Sequence, residues 1–250
     1  MMDLDEAKWL RPLYGEPREG EVSDDLQFDS LKVLQRRGEY CFSSDAALLA
    51  NFAKARPHER VVELCAGSGV ISVIMAAKTR AEEIVEVELN PQVADRAART
   101  VFLNGLHDRI RVWNGDVKEA PACLGTFDVV VANPPYYPVG IGEMPQDEGI
   151  AMSRFETKLT LAELVDSASR LLRYGGRLYV IHRAERLAEV LDQLRDKGIE
   201  PKTLYVVSPA AHAPSDVVLI EGKRGGKTGM VVKSFVREEL QRLWYRADKE

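Results

Sequence analysis

This 250-residue sequence predicts an α/β fold, a doubly wound and mostly parallel sheet with an antiparallel hairpin at its C-terminal end. Three observations carry the prediction. Short apolar runs of strand length recur at 61–65, 84–88, 110–113, 127–132 and 178–182. Stretches with helical spacing lie between most of them, at 70–78, 92–103 and 161–172, which makes successive strands parallel and joined by crossovers. Two last β-rich runs, 203–207 and 217–220, stand too close together for a crossover helix, so they pair antiparallel.

Taken in order, residues up to about Glu21 lack apolar periodicity and predict a loosely ordered arm, and 1–25 is set apart as an acidic N-terminal arm. Between Leu26 and Phe42 apolar residues alternate loosely around Arg36-Arg37-Gly38-Glu39, which predicts a hairpin turning there. Ser44 and Asp45 are expected to cap a helix over 46–53. Residues 26–56 are thus expected to pack, as hairpin plus helix, on a core spanning 57–222. A helix over 184–197 ends at Gly198, and 223–250 is expected to form a basic extension.

With 45% apolar and 29% charged residues the chain can bury a sizeable core, which excludes disordered and low-complexity classes. No apolar run approaches the roughly 18 residues of a membrane span. The start, Met-Met-Asp-Leu-Asp-Glu, is acidic where a targeting leader would be basic, so a cytoplasmic location and no membrane partner are expected. Cys41, Cys65 and Cys123 show no CxxC spacing, which argues for a reducing compartment and against zinc, and no metal is expected. Net charge is −5, unlike a protein that holds nucleic acid by overall positive charge. The distribution is uneven, however, with nine acids and three bases in residues 1–30 against eight bases and four acids in 222–250. A basic C-terminal surface could meet a polyanion.

Glu63-Leu64-Cys65-Ala66-Gly67-Ser68-Gly69 ends the first core strand and opens the helix at Val70. Glycines at such a turn let the backbone approach a ligand and expose amide donors. Ser72 stands where a dinucleotide fingerprint needs its third glycine, which disfavours a nicotinamide cofactor. Glu88, at the carboxyl end of the second strand, is placed to accept hydrogen bonds from ribose hydroxyls. Glu86 shares its face and is the second choice. Asp116, in Asn114-Gly115-Asp116 after the third strand, reads either as an acceptor for an adenine amine or as a turn-forming residue.

Asn133-Pro134-Pro135-Tyr136 directly follows the buried run 127–132. The two prolines supply no donors and fix φ, so the carbonyls around them stay free to accept. An amine on a planar ring is a poor nucleophile, because its lone pair is delocalised. If the Asn133 side-chain oxygen and the Pro134 carbonyl accept its hydrogens, charge developing on nitrogen is stabilised and the lone pair is aimed at a methyl donor. Tyr136 would stack on the ring.

On these residues the sequence resembles the adenine-N6 tRNA methyltransferases that act beside the anticodon of a valine tRNA, relatives of the HemK-type class I methyltransferases with the same Asn-Pro-Pro-Tyr motif. The resemblance runs from about Asp24 to Val232. It also takes in Gln35, Phe42-Ser43-Ser44-Asp45, Asn104-Gly105-Leu106, Arg154-Phe155-Glu156, His182-Arg183 and Glu221-Gly222-Lys223. Cys65 stands where the family has the first glycine of the loop, and Phe155 where it usually has histidine. The resemblance implies the seven-stranded, Rossmann-like class I sheet and S-adenosyl-L-methionine as cofactor. It places the cofactor on Phe42, Ser43, Asp45, Glu63, Cys65, Ala66, Gly67, Gly69, Glu88, Leu89, Asp116 and Asn133, with Asp45 and Glu63 near its methionine part, where an acid favours the ammonium group.

Methyl transfer to the N6 amine of an adenine in tRNA is therefore the expected function, with Asn133, Pro134, Pro135 and Tyr136 as catalytic residues. Candidate tRNA contacts are Tyr136, Arg154 and Lys158 in or beside a long loop over 137–158, and Lys223, Arg224 and Lys227 in a basic turn. Other readings are a guanine-N2 RNA methylase, a protein-glutamine methylase, a non-catalytic cofactor- or RNA-binding protein, and a nicotinamide-dependent oxidoreductase. The glutamine enzymes carry a helical N-terminal domain that the 50-odd residues before this core are too few to supply. His58, His107, His182 and His212 lack metal-ligand spacing and are expected to be structural.

Overall fold

The computed structural model describes residues 6–39, 41–138, 140 and 155–247. Its centre is a parallel sheet of β4 (Arg60–Leu64), β5 (Glu83–Glu88), β6 (Ile110–Asn114), β7 (Phe127–Ala132) and β8 (Leu172–Arg183). The crossovers include α2 (Val70–Lys78), α3 (Pro91–Leu103), the short α4 (Ala120–Cys123) and α5 (Leu161–Leu171). Two of the starts have a clear local cause: Asn90 accepts from the Gln92 and Val93 amides ahead of α3, and Thr160 and Glu163 form a reciprocal capping box on α5. The two-residue period of the strands divides the core. Val61, Ile84, Val112, Val129 and Ile181 face α1 (Ser44–Phe52), α2 and α3, whereas Val62, Val85, Trp113, Val130 and Val180 face α5 and α6 (Leu187–Asp196).

The expected C-terminal reversal is present. β10 (Val217–Arg224) runs antiparallel between β8 and β9 (Ile199–Ser208). Its register shifts between Glu221 and Gly222, opposite Pro201, which has no N–H to give the ladder. The seven expected strands form one sheet, to which two unforeseen strands add, one at each edge. β1 (Trp9–Leu10) pairs antiparallel with β6, and β11 (Val231–Val236) pairs parallel with β9 ahead of α7 (Arg237–Ala247). The sheet order is β1-β6-β5-β4-β7-β8-β10-β9-β11.

Three expectations are thereby corrected. The segment before Glu21 is not a loose arm, because Trp9 and Leu10 extend the sheet, and Arg111 lies over the Trp9 ring with its guanidinium 3.8 Å from the ring centre. The hairpin exists but turns earlier than expected, between β2 (Glu21–Asp25) and β3 (Lys32–Arg36). Asp25 caps the Gln27 amide, and Gln27, Asp29 and Ser30 take positive φ, which folds the chain at 26–31, while Arg36 to Glu39 forms a turn leading out of β3. The basic segment 223–250 is not an appendage either, since most of it is β11 and α7. Among the described residues no helix is long and apolar enough to cross a membrane.

Candidate active site

The loops leaving the carboxyl ends of β4 to β8 enclose a cavity of about 610 Å³. It gathers Phe42, Ser43, Asp45, Glu63, Cys65, Ala66, Gly67, Glu88, Leu89, Asp116 and all four residues from Asn133 to Tyr136, drawn from separate stretches of chain. Gly69 is not on its wall. At φ +79° a Cβ there would stand 2.8 Å from Glu86 Oε1, so this glycine serves the packing behind the loop. Lys158 lines the cavity, whereas Arg154, with most of the long loop, lies outside the described residues. Lys223, Arg224 and Lys227 are away from the cavity. Lys223 pairs with Arg177, six residues before the end of β8, and Arg224 donates to the Leu172 carbonyl at the start of β8, so the basic turn lies towards the amino edge of the sheet, away from the cavity.

The glycine loop is built on acids. Cys65 takes φ +59° and Gly67 φ +57°, so both stand in the left-handed region, which Cys65 occupies with a side chain. Burial among Glu88, Glu63 and Asp116 pushes the Cys65 thiol far up, which keeps it protonated. Glu88 accepts from the Gly67 amide at 2.9 Å and from the Asn90 amide at 2.8 Å, coupling the loop to the start of α3. Glu63 and Glu86 are in register on neighbouring parallel strands beneath α2. Glu63 Oε2 accepts from the Ser72 amide and hydroxyl, while Glu63 Oε1 and both oxygens of Glu86 are buried without hydrogen-bond partners. Desolvation raises Glu63 to about 8 and Glu86 well above the carboxylate range. Asp116 caps the Lys118 amide at 2.9 Å, as a turn-forming residue does, and is also one of the residues lining the cavity.

At the other end, the Tyr136 hydroxyl donates to Asn133 Oδ1 at 2.5 Å and lies 3.3 Å from Asp45 Oδ2. The Tyr136 ring packs against buried His182, with centres 5.3 Å apart. Desolvation lowers His182 to about 4, so the imidazole is neutral and serves as packing. Phe42 and Asp45 are held by residues outside their own turn. Gln35 accepts from the Phe42 amide at 2.9 Å, and Arg237, at the start of α7, donates to Asp45 Oδ1 and Asp216 Oδ2 at 2.7 Å each. Arg186 donates to the Tyr136 carbonyl at 2.8 Å while paired with Glu156 and Glu189. Arg186 and Arg237 were missed from the sequence, where no local spacing marks a partner 50 to 192 residues away.

A parallel sheet with a reversed last hairpin, a glycine loop answered by an acid at the end of the next strand, and a cavity along the carboxyl edge define a class I methyltransferase fold. The chain belongs to the methyltransferase small domain family, whose model matches residues 38–197. It is 36% identical over 145 residues to a 4-amino-L-phenylalanine/4-methylamino-L-phenylalanine methyltransferase of Streptomyces pristinaespiralis. That match takes in 55% of this chain and spans about half, 48%, of the relative. It is 27% identical over 199 residues to a tRNA1(Val) (adenine(37)-N6)-methyltransferase of Dickeya chrysanthemi, covering 79% of this chain and 78% of the relative, and 31% identical over 157 residues to the protein of that name in Erwinia tasmaniensis, covering 62% and 63%. In fold it is similar to a predicted O-methyltransferase of Agrobacterium tumefaciens, with TM-score 0.60, 22% identity and coverage of 77% and 85%. Trm5 of Methanocaldococcus jannaschii, in complex with adenosine, gives TM-score 0.60 at 17% identity, covering 87% and 60%.

Proposed function

We propose that this protein transfers the methyl group of S-adenosyl-L-methionine to the N6 amine of an adenine in the anticodon loop of a tRNA. The observation that carries the reading is the Asn133 to Tyr136 turn on the cavity wall, where the Tyr136 hydroxyl fixes the direction of Asn133 Oδ1. That oxygen and the Pro134 carbonyl are acceptors suited to the two hydrogens of an amine on a planar ring, and they strengthen their hold as charge develops on nitrogen. The relatives named tRNA1(Val) (adenine(37)-N6)-methyltransferase support adenine in tRNA as the substrate. The residues also fit the cofactor: Glu63 Oε1 is a buried oxygen without a partner in a residue lining the cavity, and an ammonium group beside it would favour the charged carboxylate that burial alone disfavours, with Asp45 on the same wall. When bound, the cofactor supplies an electrophilic methyl group. Glu88 and Asp116 would hold its nucleoside end, while Asn133, Pro134 and Tyr136 hold the amine and its ring.

The test is transfer of labelled methyl from S-adenosyl-L-methionine to bulk tRNA, followed by nucleoside analysis. The expected product is N6-methyladenine in tRNA, with free adenosine a poor substrate. A second reading, methylation of an amine on the ring of a small molecule, is favoured by the 36% identity to the Streptomyces enzyme. Label in 4-amino-L-phenylalanine and none in tRNA would decide for it.

A further inference from the structure

We propose that Arg183 binds a backbone phosphate of the substrate beside the target nucleotide. The inference rests on the reading of the substrate as RNA. β8 continues three residues beyond the pair Ala132–Val180, and its last residue, Arg183, lines the cavity alongside the Asn133 to Tyr136 turn. Glu88 belongs to β5, and β4 and β7 lie between it and β8. Three strand spacings, about 14 Å, therefore separate Arg183 from the acid expected to hold the cofactor's ribose. Arg183 thus stands at the end of the cavity where the amine of the target would be held.

Among the described residues the guanidinium has no counter-charge. Arg183 Nε is buried and has no hydrogen-bond partner, and no ion pair involves this residue among the described residues. Among the described residues, acids at this end of the site are taken: Glu156 and Glu189 by Arg186, and Asp216 and Asp45 by Arg237. Arg96, the other arginine on the cavity wall, is paired with Glu39. A guanidinium on a residue that lines a cavity, and that no described residue neutralises, is matched to an anion from outside. A nucleotide brings one next to its base, and the planar fork of arginine suits the oxygens of a phosphodiester.

The test compares the full-length protein with Arg183→Met, which keeps the apolar stem, and Arg183→Lys, which keeps the charge. tRNA binding is measured over a series of salt concentrations, with binding of S-adenosylhomocysteine and thermal melting alongside. For Arg183→Met the expected result is about tenfold weaker tRNA binding and a plot of log K against log salt flattened by about 0.7. Cofactor-product affinity and melting temperature stay unchanged, and Arg183→Lys recovers the slope. Unchanged tRNA affinity and slope in Arg183→Met overturns the proposal. So does a loss confined to S-adenosylhomocysteine, which would make the anion the cofactor's carboxylate, and so does failure of Arg183→Lys to recover the slope. A wild-type protein that neither binds nor methylates tRNA removes the substrate reading and this inference with it. An active wild type with an unaffected Arg183→Met removes the inference alone.

Discussion

Asn133 and Tyr136 divide their work in a way that single substitutions can separate. Removing the Asn133 amide deletes an acceptor whose contribution grows as charge develops on the reacting nitrogen. Asn133→Ala should therefore lower the single-turnover rate by roughly 10² to 10³ while S-adenosylhomocysteine binds as before. Wild-type turnover in that variant would mean the amine is held elsewhere. From sequence Tyr136 is expected to act through its ring alone, but its hydroxyl holds Asn133 Oδ1 at 2.5 Å. Tyr136→Phe should thus lose about tenfold through a less directed amide, and Tyr136→Ala should lose more, because a stacked base gains about 1 to 3 kcal/mol from an aromatic ring. Equal damage from the two would assign the whole effect to the hydroxyl.

The N-terminal hairpin is an element held by charge. Glu21 at the start of β2 receives two bonds of 2.7 Å from Arg99, a residue of α3 that is only 1% exposed. Asn104, at the end of the same helix, brackets Lys32 with two backbone bonds, which explains why Asn104-Gly105-Leu106 belongs to the pattern the sequence displays. The hydrogen bond from Arg99 holds the Glu21 carboxyl down at about 2. Because the folded value lies below the unfolded one, the stabilisation is complete above about pH 4.5 and is lost as pH falls towards 2. Its size is on the order of 2 to 3 kcal/mol. Glu21→Gln should remove that acid dependence and speed amide exchange in β2 and β3 at neutral pH, measured by mass spectrometry. Unaltered exchange there would show that Asn104 and apolar packing hold the hairpin alone.

For the molecule as a whole, the buried acids beneath α2 set the opposite limit. Glu63 titrates near 8 in the folded protein and near 4.5 when unfolded, so its share of stability is full below pH 4.5 and is lost as pH rises towards 8. Glu86 adds in the same direction. The amide oxygen that replaces a carboxylate oxygen in Glu63→Gln can still accept from Ser72, so this variant should keep the fold and flatten the loss of melting temperature between about pH 5 and 8. The difference at the alkaline end of that range should be on the order of 1 to 3 kcal/mol, at about 2 to 4 °C per kcal/mol. Parallel melting curves across that range would refute it. The extent of the substrate is also decided at this scale. The basic turn is at the far edge of the sheet, so Lys223→Glu with Lys227→Glu should leave methylation of a short anticodon stem-loop unchanged, and a fall on that substrate would show the RNA wrapping round the sheet edge.

What the sequence determined by itself was whatever repeats locally. The apolar runs of β4 to β7, the spacing of α2, α3 and α5, the gap too short for a crossover before β10, and the motifs at 63–69 and 133–136 each lie within one element or one turn, where periodicity and backbone chemistry act directly. Only the tertiary structure decided what depends on separate segments meeting. Trp9-Leu10 is too short to read as a strand until β6 offers it an edge, and β11 lies beyond what looked like the end of the core. The pairs Arg99–Glu21, Arg186–Glu156 and Arg237–Asp45 join residues 30 to 192 positions apart, and no sequence period records them. The same holds within the site: that Gly69 packs on Glu86 rather than lining the cavity, and that Arg183 stands at its wall with no acid paired to it among the described residues, follows from strand register and side-chain competition, which exist only in the folded chain.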